Sequence, residues 1–149
     1  MKNLFCAAIL ILVLISCKDE PKERTTIRPI IGTWKLLNGT IIEKGETTVT
    51  DYTKDRSFIK IINETHFSFL QHTLRKDTTD FSAGGGRYEL DGDKYTEHLE
   101  YCSAKEWEGH DFSFTVTINK DTLIQQGIEK IEAQGIERMN IEKYIRYKR

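Results

Sequence analysis

Beyond Pro29, apolar and polar residues alternate in short runs, and turn chemistry separates the runs. A period of two marks half-buried strands, so this region is confined to an antiparallel β fold. Residues 31–37 read as the first strand, with Asn38-Gly39 as a turn signal behind it. Residues 40–43 and 47–50 pair back with it, and further strands are expected at 57–62, 66–73, 87–90, 94–101, 111–118, 122–128 and 139–147. Asn63-Glu64, Asp91-Gly92-Asp93 and Asn119-Lys120-Asp121 supply reversals, and one helical turn is expected before the last strand. Polar residues and glycines fill 74–86, so Gly84-Gly85-Gly86 reads as a hairpin loop. The expected fold is an all-β, up-and-down antiparallel β-barrel of about eight strands, because closure removes the unpaired edges that invite aggregation. Such a barrel is filled by side chains or holds one small ligand.

The chain opens MKNLFCAAILILVLISC, a basic Lys2 followed by an apolar run over residues 4–15. A run this short falls below the roughly 20 residues that span a bilayer and suits the core of a signal peptide. Its end, Leu14-Ile15-Ser16-Cys17, resembles the bacterial lipobox. That resemblance implies cleavage before Cys17 and a diacylglyceryl group on its thiol. It also implies a membrane partner and a place in the bacterial cell envelope, as an outer-membrane lipoprotein facing the periplasm or the cell surface. Residues 17–29 are rich in charge and Pro and cannot bury enough surface to offset their ordering entropy, so they read as a tether. Asp19 and Glu20 resemble surface-export signals of Bacteroidota lipoproteins. The expected organisation is thus a signal peptide over 1–16, a lipidated tether over 17–29 and a barrel domain over 30–149.

Lys and Arg number 22 against 23 Asp and Glu, interleaved along the domain, so no nucleic-acid surface is signalled. Of three cysteines, one leaves with the signal and one takes the lipid. Cys102 stands alone as a small core or loop residue, and the fold must hold by packing rather than by a disulfide. His66, His72, His98 and His110 lack metal-ligand spacing, and no cofactor motif is present. His98 and Glu100 alternate on one strand face, which reads as a solvated face.

Gly32-Thr33-Trp34 resembles the G-x-W motif of lipocalins and the wider calycin group. The stretch from Phe81 to Cys102, with Trp107, Gly109 and Phe112-x-Phe114, resembles uncharacterised lipocalin-like lipoproteins of Bacteroidota. The resemblance implies a calycin-like barrel in which Trp34 closes one end and Arg146, from the last strand, packs over the indole; Gly32, Trp34 and Arg146 are the expected closure set. By strand parity, Tyr144 and Glu142 share the face of Arg146. Tyr144-x-Arg146 resembles, in reverse, the Arg-x-Tyr pair with which intracellular fatty-acid-binding proteins hold a carboxylate. Arg146 is therefore either a structural closer or a ligand anchor, with Phe67, Phe69, Phe112 and Phe114 as the apolar wall.

Tyr95, Glu97 and Tyr101 form a second candidate set beside Tyr88 and Leu99, unless the His98 and Glu100 face points inward instead. A buried Glu97 needs a partner, and catalysis by it would require a pKa raised by burial. The expected function is non-catalytic binding of a small hydrophobic or amphipathic ligand, a carboxylate-bearing one if Arg146 is the anchor. The alternatives are an envelope barrel whose outer surface binds a protein and a calycin-type isomerase or cyclase.

Overall fold

The computed structural model describes residues 29–148. Ten strand segments follow one another: β1 Gly32–Glu43, β2 Glu46–Asp51, β3 Arg56–Ile62, β4 His66–Thr73, β5 Phe81–Asp91, β6 Lys94–Leu99, β7 Tyr101–Cys102, β8 His110–Asn119, β9 Thr122–Ile131 and β10 Ile136–Arg146. Single turns of 3-10 helix stand at Lys105–Trp107 and Glu132–Gln134. All pairings are antiparallel, and β10 returns to pair with β1, which closes the sheet. β2 and β3 lie along the same side of β1, and β6 and β7 along the same side of β5. The ten segments therefore make eight staves, the up-and-down barrel that the alternation predicts.

Three local expectations are corrected. Asn38-Gly39 does not turn the chain; β1 runs through it and absorbs it as a register shift against β10 between Leu36 and Asn38. The reversal falls at Lys44-Gly45, where φ values of 52° and 82° suit the two-residue hairpin between Glu43 and Glu46. Gly84-Gly85-Gly86 is not a loop but the middle of β5. Its glycines answer close packing: a Cβ on Gly84 would lie 2.6 Å from the Phe69 ring, and one on Gly86 would collide with the carbonyl oxygen of His98.

The third correction concerns residues 94–101, expected as one strand. Tyr88 faces Glu97, but Gly85 faces Tyr101, so residues 98–100 oppose only residues 86–87. This is a bulge, and one extra residue reverses the parity of everything after it. Tyr95, Glu97 and Leu99 point into the barrel, whereas Tyr101 is 69% exposed on the outside. His98 lies on the outer face, its Nδ1 2.8 Å from the Asp111 carboxylate on β8.

The core follows the alternation elsewhere. On β8, Phe112, Phe114 and Val116 are buried while Asp111, Ser113 and Thr115 are exposed. One end of the barrel is shut by Trp34, which is 0% exposed and donates from Nε1 to the Ile30 carbonyl at 2.8 Å. The Arg146 guanidinium lies 4.1 Å from the indole centroid and donates to the carbonyls of Ile31 at 2.9 Å and Pro29 at 2.6 Å. Register sets the two side by side, since Trp34 pairs directly with Arg146. Gly32 has a φ of 143°, and a Cβ there would lie 2.6 Å from Arg146 Nη1. A residue with a side chain at position 32 would disfavour that backbone and displace the guanidinium.

Candidate functional site

Toward the end of β1 away from Trp34, the barrel encloses a cavity of about 390 Å³. Its size lies within the roughly 300–1,000 Å³ of small-molecule sites. One part of the wall is aromatic: Tyr52, Phe58, Phe69, Trp107, Phe112 and Phe114. Phe58 stacks on Phe69 at 5.6 Å between centroids and meets Tyr52 edge-on at 5.8 Å. Trp107, carried on the 3-10 turn between β7 and β8, is held by the Arg138 guanidinium 4.7 Å from its ring and by Phe112.

The other part is charged and hydrogen-bonded. Lys60, 2% exposed, pairs in register with Trp34 and lines the cavity. Lys60 Nζ donates to Glu97 Oε1 at 2.7 Å and to Gln125 Oε1 at 3.0 Å, with Glu142 Oε2 3.8 Å away. Its ammonium also lies 5.5 Å from the Tyr144 ring centroid and 5.7 Å from that of Phe67. Glu129 accepts from Arg138 Nε and from Asn140 Nδ2, each at 2.7 Å. The Tyr144 hydroxyl donates to Glu142 Oε2 at 2.7 Å. The Tyr95 hydroxyl is buried close to the Glu97 carboxylate.

Burial alone would lower the pKa of Lys60, but the carboxylates of Glu97 and Glu142, with Glu129 behind them, outweigh it and hold the ammonium above the ordinary lysine value. Burial pushes the Glu97 carboxyl up, and the Lys60 charge opposes that push. Burial also raises the phenols of Tyr95 and Tyr144, reinforced by Glu97 at the first and Glu142 at the second. A phenol raised on folding contributes stability that is fully present below about pH 10 and lost as pH rises toward its folded value. In an alkaline absorbance titration, Tyr95 and Tyr144 are thus expected to ionise only as the barrel unfolds. Two further tyrosinates forming while circular dichroism stays native would contradict the burial of these hydroxyls.

Phe69, Glu97, Phe112 and Phe114 line the cavity together. Tyr95, Tyr144 and Phe67 are buried in the core around it. Tyr101 lies outside because of the bulge. Arg146 is occupied at the closed end by the indole face and two carbonyls, the closing arrangement of the two that the sequence leaves open. The cavity's own polar groups, Lys60, Gln125, Glu129, Arg138 and Asn140, lay outside the expected set. Parity carries a signal for several: Lys60 alternates with Phe58 and Ile62, and Gln125 and Glu129 alternate with Leu123 and Ile131.

The described chain is an all-β protein: a closed eight-stave antiparallel barrel, plugged at one end and hollow toward the other. No family model and no curated protein matches it. Among solved structures it is similar to an uncharacterised protein from Bacteroides eggerthii DSM 20697, with 15% identity, 78% of this chain and 98% of that chain covered, and a TM-score of 0.45. It is also similar to a mutant of the fluorescent protein UnaG, with 11% identity, 80% and 97% covered, and a TM-score of 0.39.

Proposed function

We propose that this chain is an exported, lipid-anchored envelope protein whose barrel takes up a small amphipathic molecule without transforming it. The observation that carries the ligand reading is the cavity, aromatic on one part of its wall and hydrogen-bonding on another. Glu97 is engaged by Lys60 at 2.7 Å, which favours a binding role for this site over an isomerase or cyclase. The anchor reading is supported by the apolar run and the lipobox-like Leu14-Ile15-Ser16-Cys17, all of which lie outside the described residues. A protein-binding surface is the second reading. The observation that favours it is the outer face of β4 and β5, where Leu70 and Tyr101 flank a shallow apolar depression and Phe81 is 65% exposed.

The test uses the full-length gene product, purified from membranes in mild detergent. Intact mass is expected to show a chain beginning at Cys17 and carrying a diacylglyceryl group. The neutral dye N-phenyl-1-naphthylamine is expected to brighten on binding this protein. It should not brighten with Leu99→Trp, where the added indole occupies the cavity. Equal brightening by a folded Leu99→Trp chain, against the same detergent background, would place the dye outside the barrel and overturn the ligand reading. An unmodified mass for the exported chain would overturn the anchor.

A further inference from the structure

Five ionisable side chains with opposite charges face the cavity, and their pairing is uneven. Lys60 is taken by Glu97 at 2.7 Å, and Arg138 by Glu129 at 2.7 Å. Glu142 is the remaining carboxylate. Its Oε2 accepts from the neutral Tyr144 hydroxyl and stands 3.8 Å from an ammonium already engaged elsewhere, and no hydrogen bond reaches its Oε1 among the described residues. The cavity wall therefore carries one carboxylate in excess of its cations. That carboxylate, 15% exposed, shares the Lys60 ammonium with Glu97, and a positive ligand group would give it a counter-charge of its own.

The neighbouring surface suits the same charge. The Tyr52 phenol lies near enough to Glu142 for the carboxylate to raise its pKa, after burial. Tyr52 meets Phe58 edge-on, and both rings line the cavity. Aromatic faces attract cations and do not favour anions, and the Arg56 guanidinium already stands 5.7 Å from the Tyr52 centroid. The apolar remainder of a ligand has Phe69, Phe112 and Phe114 to lie against.

Resting on the ligand-binding reading above, we propose that the ligand is a cationic amphipath: an amine whose ammonium group sits against Glu142 beside Tyr52 and Phe58, with an aromatic or short aliphatic body in the cavity. This excludes the carboxylate-bearing ligand that Arg146 suggested, because Arg146 stands outside the cavity and the lining already has an excess of negative charge.

Three probes of matched size separate the possibilities: phenethylamine, phenylethanol and phenylacetate. Each is titrated against the full-length protein loaded with N-phenyl-1-naphthylamine, with dye displacement as the readout. Phenethylamine is expected to displace the dye about tenfold more tightly than phenylacetate, with phenylethanol between them. Glu142→Gln is expected to remove the preference for the amine, read as the ratio of the phenethylamine and phenylacetate displacement constants whatever the variant's own affinity for the dye. Displacement by phenylacetate or phenylethanol as tight as by phenethylamine overturns the cationic assignment and leaves the ligand-binding reading standing. An amine preference that persists in Glu142→Gln overturns Glu142 as its cause. The comparison in the unmodified protein decides the charge class even where that variant does not fold. Failure of the dye itself to enter the barrel removes the underlying reading instead.

Discussion

Trp34→Ala is expected to lower the unfolding free energy by about 3–5 kcal/mol, the usual cost of deleting a fully buried aromatic side chain. Trp34 has no exposed surface, and its removal empties the closed end of the barrel. It also removes the ring on which Arg146 rests, a contact of about 0.5–2 kcal/mol. A domain of this size holds only about 5–15 kcal/mol in total, so the variant should be marginal. Urea unfolding followed by far-ultraviolet circular dichroism measures the change. The remaining tryptophan, Trp107, reports separately on the cavity wall through its fluorescence. Arg146→Ala should cost less than Trp34→Ala, since the indole would stay in place. A Trp34→Ala loss below about 1 kcal/mol would show that the barrel end is held by other contacts.

The second large effect concerns the buried pair. Lys60→Met should cost about 3–5 kcal/mol, because it leaves Glu97 and Glu142 facing each other's charge without the ammonium between them. Glu97→Leu should cost less, since Glu142 and Gln125 still accompany Lys60. The double variant should be more stable than Lys60→Met alone, because it leaves one buried carboxylate, Glu142, without the ammonium instead of two. The pH dependence of Lys60→Met follows from burial, which raises the Glu97 carboxyl and is then unopposed by Lys60. A raised carboxyl contributes stability below its unfolded value of about 4.3 and loses it as pH rises through the folded value. The Lys60→Met deficit should therefore shrink in mild acid. Denaturation curves of the three variants at acidic and neutral pH measure both the order and the trend. Additive single costs would mean that the two side chains stabilise the barrel independently.

Strand parity made much of the fold legible. The clean alternation of Phe112, Phe114 and Val116 placed β8 and its inward face, and Asp91-Gly92-Asp93 and Asn119-Lys120-Asp121 marked the two hairpins. The G-x-W resemblance brought Gly32, Trp34 and Arg146 together, and register places them together. The failures have one cause. Gly84-Gly85-Gly86 reads as a loop when only neighbours in sequence are considered; the Phe69 ring and the His98 carbonyl that require bare backbone there belong to other strands. Asn38-Gly39 likewise has the chemistry of a turn, and pairing with both β10 and β2 overrides it.

Local alternation by itself determined the class of fold, most of its strands, and which side chains in each strand share a face. Its reach ends there, because parity within a strand is a short-range property. The bulge opposite Gly86 that turns Tyr101 outward depends on how two strands are registered. The meeting of Lys60, Glu97, Gln125 and Glu142 depends on four staves converging when the sheet closes. Only the tertiary structure decided that Arg146 plugs an end while Glu142 lines the hollow, since burial and charge pairing are properties of the closed barrel and not of any one strand.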